Sequence, residues 1–127
     1  MPKVSKTSAE IHNEFPPGEE WTGHLYDTTC NIVSLHSESD LAPLLAGLPD
    51  DMCQCPHWGY VIKGQLSFPR ADGEEVFNAG DAFYVAAGHT AKNAAGTDFV
   101  IFSPKDALAA TEAHMAAVAG SMFATND

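Results

Sequence analysis

Positive charge is scarce in this chain: 127 residues hold six Lys and Arg against seventeen Asp and Glu, a formal charge of −11. A surface that acidic repels phosphate backbones and anionic lipid, which argues against nucleic-acid or membrane partners. No run approaches the roughly 18 apolar residues of a membrane span. Cysteine is also sparse, at three, and an odd count does not build a disulfide framework. There is no phosphate-binding glycine loop and no dinucleotide fingerprint, so neither ATP nor NAD is expected. Repeats and low-complexity tracts are missing too. The first fifteen residues mix Lys, Ser, Glu and His without an apolar core, so no signal peptide is expected. A cytoplasmic location follows, in which Cys30, Cys53 and Cys55 stay reduced.

What is present is a hydrophobic fraction ordinary for a soluble globule and a length suited to one domain. Residues 1–19 read as a polar arm closed by Phe15-Pro16-Pro17-Gly18. Short runs rich in aromatic and β-branched residues follow: Trp21 to Tyr26, Asn31 to His36, Met52 to Val61, Gln65 to Phe68, Glu75 to Asn78, Ala82 to Ala86, Thr90 to Asn93 and Phe99 to Ser103. Asp72-Gly73 signals a hairpin. Residues 39–51 hold too many breakers for a long helix and read as a loop with room for one helical turn, packed by its leucines. After Ser103-Pro104-Lys105-Asp106, an N-cap pattern, the character changes. Leu108, Thr111, Met115, Val118 and Met122 recur at helical spacing, predicting an amphipathic helix over 105–119.

The densest chemistry lies in Cys53-Gln54-Cys55-Pro56-His57. On a strand the side-chain period of two would project Cys53, Cys55 and His57 from one face. About thirty residues on, His89 ends another strand within Ala86-Ala87-Gly88-His89-Thr90. Cys53, His57 and His89 are therefore the expected metal ligands, with Cys55 or His36 as a fourth. A thiolate with two imidazoles suits zinc, iron, nickel or copper better than magnesium or calcium. Three ligands would leave a position open; four would close the site. The competing reading makes both thiols small buried hydrophobes and His89 a partner for a loop. Asp51 is a candidate acid or base, although Pro-Asp-Asp is also turn chemistry. Phe83 and Val85 share the parity of His89 and are candidate pocket walls. Trp58 and Tyr60 face the other way, toward an inter-sheet or dimer contact.

The strand order and punctuation resemble a cupin, a small jelly-roll barrel with a metal site in its mouth. Tyr60-Val61-Ile62-Lys63-Gly64 matches the end of the first cupin motif. Counting back from Gly64, Asp51, Cys53 and His57 stand where that motif has His, His and Glu. Gly80-Asp81 followed by Ala86-Ala87-Gly88 has the spacing of the second motif, whose His falls at Ala91, two residues beyond His89. The resemblance covers roughly residues 20 to 104. It implies an all-β, cupin-type jelly-roll barrel over 20–104, with a C-terminal helix and tail over 105–127. It further implies a metal-dependent lyase, isomerase, cyclase or dioxygenase acting on a small molecule, with zinc the first candidate and iron or nickel next. Its counterpart is a non-catalytic binding or sensing domain in which metal is optional. A homodimer accords with the low charged fraction and the strand edges.

Overall fold

A computed structural model describes residues 2–124. The strands are β1 (Ile11–Phe15), β2 (Gly18–Leu25), β3 (Thr28–Leu35), β4 (Ser39–Asp40), β5 (His57–Lys63), β6 (Gln65–Arg70), β7 (Gly73–Asn78), β8 (Ala82–Val85), β9 (Lys92–Asn93) and β10 (Thr97–Pro104), followed by helix α1 (Lys105–Ala124). They form two antiparallel sheets, one ordered β1-β2-β3-β10-β5-β8 and the other β4-β9-β6-β7. The expected β-rich body with a C-terminal helix is therefore present. The apolar parity of the strands explains the layering: Val33, Leu35, Val61, Leu66, Phe68, Phe83, Val85 and Phe99 form one buried cluster drawn from both sheets. Burial of each such side chain stabilises by about 1.5–3 kcal/mol. No described helix is long and apolar enough to cross a membrane.

The corner between the sheets falls at Gly64, whose φ of +84° lies in the left-handed region that glycine tolerates. A Cβ there would come within 2.7 Å of the Thr97 Cα, so the close approach of β6 to the start of β10 also demands glycine. Thr97 seals the corner: its hydroxyl accepts from the Gln65 N–H and donates to the Ala94 carbonyl.

Several expectations need correction. Within the polar arm, Ile11–Phe15 forms a strand that the sequence reading did not include, an exposed edge paired with β2. The strand expected from Met52 begins only at His57; Pro56 has no N–H to offer a ladder, and upstream of it only an isolated bridge, Cys53 to His89, remains. Residues 42–45 and 49–51 make 3₁₀ turns, with Pro43 second in the one and Pro49 first in the other. The helix runs five residues past its expected end. The side chain of Met122 and the tail from 125 to 127 lie outside the described residues.

Candidate metal centre

Pairing across the six-stranded sheet decides which side chains meet. His57 opens β5 opposite Val85, and the next row of β10 beyond Phe102 is Ser103. The Cys53–His89 bridge ties the two halves together: the Cys53 N–H donates to the His89 carbonyl at 2.7 Å, and the Gly88 N–H donates to the Cys53 carbonyl at 2.8 Å. Gly88, at φ +90°, turns the chain so that both bonds form. The ligand atoms of Cys53, His57 and His89 consequently lie within 4.8 Å of one another. All three residues are buried, His57 at 7% and His89 at 1% exposure.

The hydrogen bonds behind the rings orient them. His89 Nδ1 lies 2.7 Å from the Ala86 carbonyl, which can only accept, so the proton is on Nδ1 and Nε2 presents a bare lone pair. His57 Nδ1 lies 2.7 Å from the Ser103 hydroxyl, and its Nε2 lies 3.7 Å from the Cys53 sulfur. A proton on Nδ1 of His57 leaves Nε2 free toward the thiol in the same way. The two rings meet edge to face at 5.0 Å, and Phe68 stands edge-on to His89 at 5.3 Å, joining the site to the apolar core.

Burial sets the protonation of the group. It presses the His57 imidazole down to about 3, with the neighbouring His89 adding to the effect. It lowers His89 as well, the Arg70 charge acting the same way and the Ala86 carbonyl opposing. It raises the Cys53 thiol and carries Cys55 up to about 11. Without metal the cluster is thus two neutral imidazoles and a neutral thiol. A divalent cation binding there displaces one thiol proton and meets a soft, uncharged-nitrogen donor set, so the residues fit a transition metal.

Cys55 is not gathered with these three. Its thiol hydrogen-bonds the Pro56 carbonyl and packs with Leu45 and Cys53 under Leu48, Leu108 and Met115, as the small-hydrophobe reading expects. His36 is exposed after β3 and faces Glu19, so the proposed fourth-ligand role finds no support in its position. Asp51 is exposed too and accepts from the Gly47 N–H, closing a turn at φ +57°. Phe83 and Val85 belong to the packed cluster between the sheets: Phe83 stacks on Phe77 at 4.7 Å. Trp58 and Tyr60 point outward and are about half exposed.

Two residues at the site were read differently from sequence. Ser103 was expected to cap the helix; its hydroxyl instead holds His57. Thr111 was one more position on an apolar stripe; it is buried on α1 with its hydroxyl 4.0 Å from the Cys53 sulfur. The signal for Ser103 lay in strand pairing, which the linear sequence does not display.

No protein-family model matches the chain, and no curated protein matches it in sequence. Solved structures do match in shape. A sugar phosphate isomerase from a cupin superfamily, from Silicibacter pomeroyi, is 18% identical over 81% of this chain and 75% of its own, with a TM-score of 0.54. An RmlC-like cupin from Shewanella frigidimarina is 16% identical over 79% of this chain and 87% of its own, at 0.53. An oxalate decarboxylase of Bacillus subtilis is 12% identical over 77% of this chain but only 28% of its own, at 0.56.

Proposed function

This chain has the cupin fold, and from that premise we propose that it binds a divalent transition metal through Cys53, His57 and His89 and uses it on a small molecule. The observation that carries the reading is the convergence of those three buried donors. Zinc suits the set first, iron and nickel next. A metal bound there would supply Lewis-acid polarisation of a substrate oxygen or of water. The protein's own part is then to hold the donors: Ala86 and Ser103 fix the two rings, and Thr111 brings a hydroxyl to the thiol from the helix. Asp51, hydrogen-bonded in its turn, is the weaker choice for proton transfer. Lyase, isomerase, cyclase and dioxygenase chemistry are the reaction classes proposed.

One observation favours a second reading, non-catalytic binding or sensing of a small molecule. The helix and the 42–45 turn lie over the centre, with Leu45, Leu108 and Met115 against Cys53 and Cys55. A substrate reaching the metal has to move them or be small. Free thiols at Cys30, Cys53 and Cys55 accord with a cytoplasmic setting. A second copy of the chain is the proposed partner for the outward face of Trp58, Tyr60, Ile62 and Tyr84.

Cobalt(II) titration tests the centre. The wild type should show a thiolate-to-cobalt charge-transfer band that Cys53→Ser lacks; no such band in a folded wild type would refute the ligand set. Turnover of oxalate and sugar phosphates, substrates named for two structural neighbours, separates the readings. Conversion lost in His57→Ala supports the enzyme, while saturable binding without conversion supports the sensor.

A further inference from the structure

The edge hairpin carries a second convergence of donors that owes nothing to the interior centre. In the β1–β2 register Glu14 stands directly opposite Glu19, and His12 lies two pairs along, opposite Trp21, on the same face of β1 as Glu14. His12 Nε2 is 2.8 Å from one carboxylate oxygen of Glu19, and His36 Nε2 is 4.0 Å from the other. The ligand atoms of His12, Glu14 and Glu19 lie within 4.8 Å of one another. A cleft of about 250 Å³ opens here, lined by Glu14, Phe15, Pro16, Gly18, Glu19 and His36.

We infer that this hairpin is a second, surface site for a divalent transition-metal ion, held by His12, Glu14 and Glu19 and completed by His36. Like charges directly opposite on a hairpin repel, and a hydrogen bond from His12 to Glu19 leaves Glu14 facing that carboxylate uncompensated. A cation between them removes the conflict. Among the described residues both ion-pair partners of Glu19 are imidazoles, which are metal ligands in their neutral form. Metal–nitrogen and metal–oxygen bonds of about 2 Å require donors within roughly 4 Å of each other, a small adjustment for exposed side chains. His12 is already ordered, stacked on Trp21 at 4.7 Å with ring planes 9° apart. Two imidazoles with two carboxylates select zinc, cobalt or nickel over calcium or magnesium. The net charge of −11 raises the local concentration of any cation.

The test is zinc titration of the full chain after chelator treatment, followed calorimetrically. With Cys53→Ser and His57→Ala disabling the interior centre, one equivalent of zinc should still bind, and adding His12→Ala or Glu19→Gln should weaken it by roughly tenfold or more. All substitutions in the hairpin are on exposed or half-exposed side chains, and circular dichroism confirms the fold. If the interior-disabled protein does not fold, the wild type serves: it should lose one class of binding in His12→Ala while keeping the cobalt–thiolate band. Zinc binding that is absent in the interior-disabled protein, or indifferent to both hairpin substitutions, overturns the inference. A wild type that binds a single equivalent, lost in His12→Ala and kept in Cys53→Ser, upholds the hairpin site and defeats the interior one.

Discussion

The imidazoles of the centre behave as they do because of where they are buried, and acid should reveal it. The folded chain keeps His57 neutral down to about pH 3 and also lowers His89, whereas an unfolded His takes up a proton near 6.5. Stability from these groups is therefore complete above pH 6.5 and lost as pH falls toward 3, by up to about 5 kcal/mol for His57. Glu20 opposes it in part: burial raises its carboxyl, with the neighbouring Glu112 charge adding to the effect, so it costs stability as pH rises through its folded value. In metal-free protein the melting temperature should drop between pH 6.5 and 4, and His57→Asn should flatten that drop; parallel profiles would contradict the account. Ser103→Ala removes the partner of His57 Nδ1. It should weaken metal binding by about 10–100-fold and stability by about 1 kcal/mol, read by competition with a chromophoric chelator and by urea melts. Unchanged affinity would mean that Ser103 does not orient the ring. At this scale the convergence of Cys53, His57 and His89 was legible in the sequence as donors near strand ends, but parity alone placed Cys55 with them, and only the bridge from Cys53 to His89 separates the two thiols. Ser103 was not, because its hydroxyl is equally suited to capping a helix and only the β10–β5 register turns it toward His57.

Among the elements, the strands and the Gly64 corner were the most legible, since period-two patterning and a glycine with no room for a Cβ both leave marks in sequence. The strand from Met52 was overextended because alternation alone does not count the hydrogen bonds that Pro56 withholds. The edge strand β1 was missed because its side chains are nearly all exposed, so burial imposes no pattern on them. Nor did the sequence tell that α1 would cover the centre. That packing runs through the 42–45 turn, where Leu45 is 1% exposed beneath Leu108 and Met115. Leu45→Ala should cost about 2–5 kcal/mol in chemical denaturation. Hydrogen exchange should also rise at Cys53 and Cys55 before it rises in the core around Val61. A loss below 1 kcal/mol, or uniform loosening, would mean the helix is not docked through this residue.

For the whole molecule, the fold gathers the donors Cys53, His57 and His89 in the interior and leaves an apolar outer face on β5. Trp58, Tyr60 and Ile62 are about half exposed there, and Trp58 tilts against Tyr84 on the edge strand β8 at 5.0 Å. A patch of this kind beside a free sheet edge favours self-association. Sedimentation equilibrium should give a dimer for the wild type and a monomer for Trp58→Ser with Tyr84→Ser; a monomeric wild type contradicts the proposed partner. The central claim, however, is the buried metal centre. Its most direct test is the metal content of untagged protein purified without chelator and measured by mass spectrometry, beside Cys53→Ser, His57→Ala and His89→Ala. The account predicts that each of these three variants carries one equivalent of transition metal less than the wild type, whether or not the hairpin is occupied, while His12→Ala keeps that interior equivalent. A folded wild type that carries no metal at this centre, even after reconstitution, would contradict it.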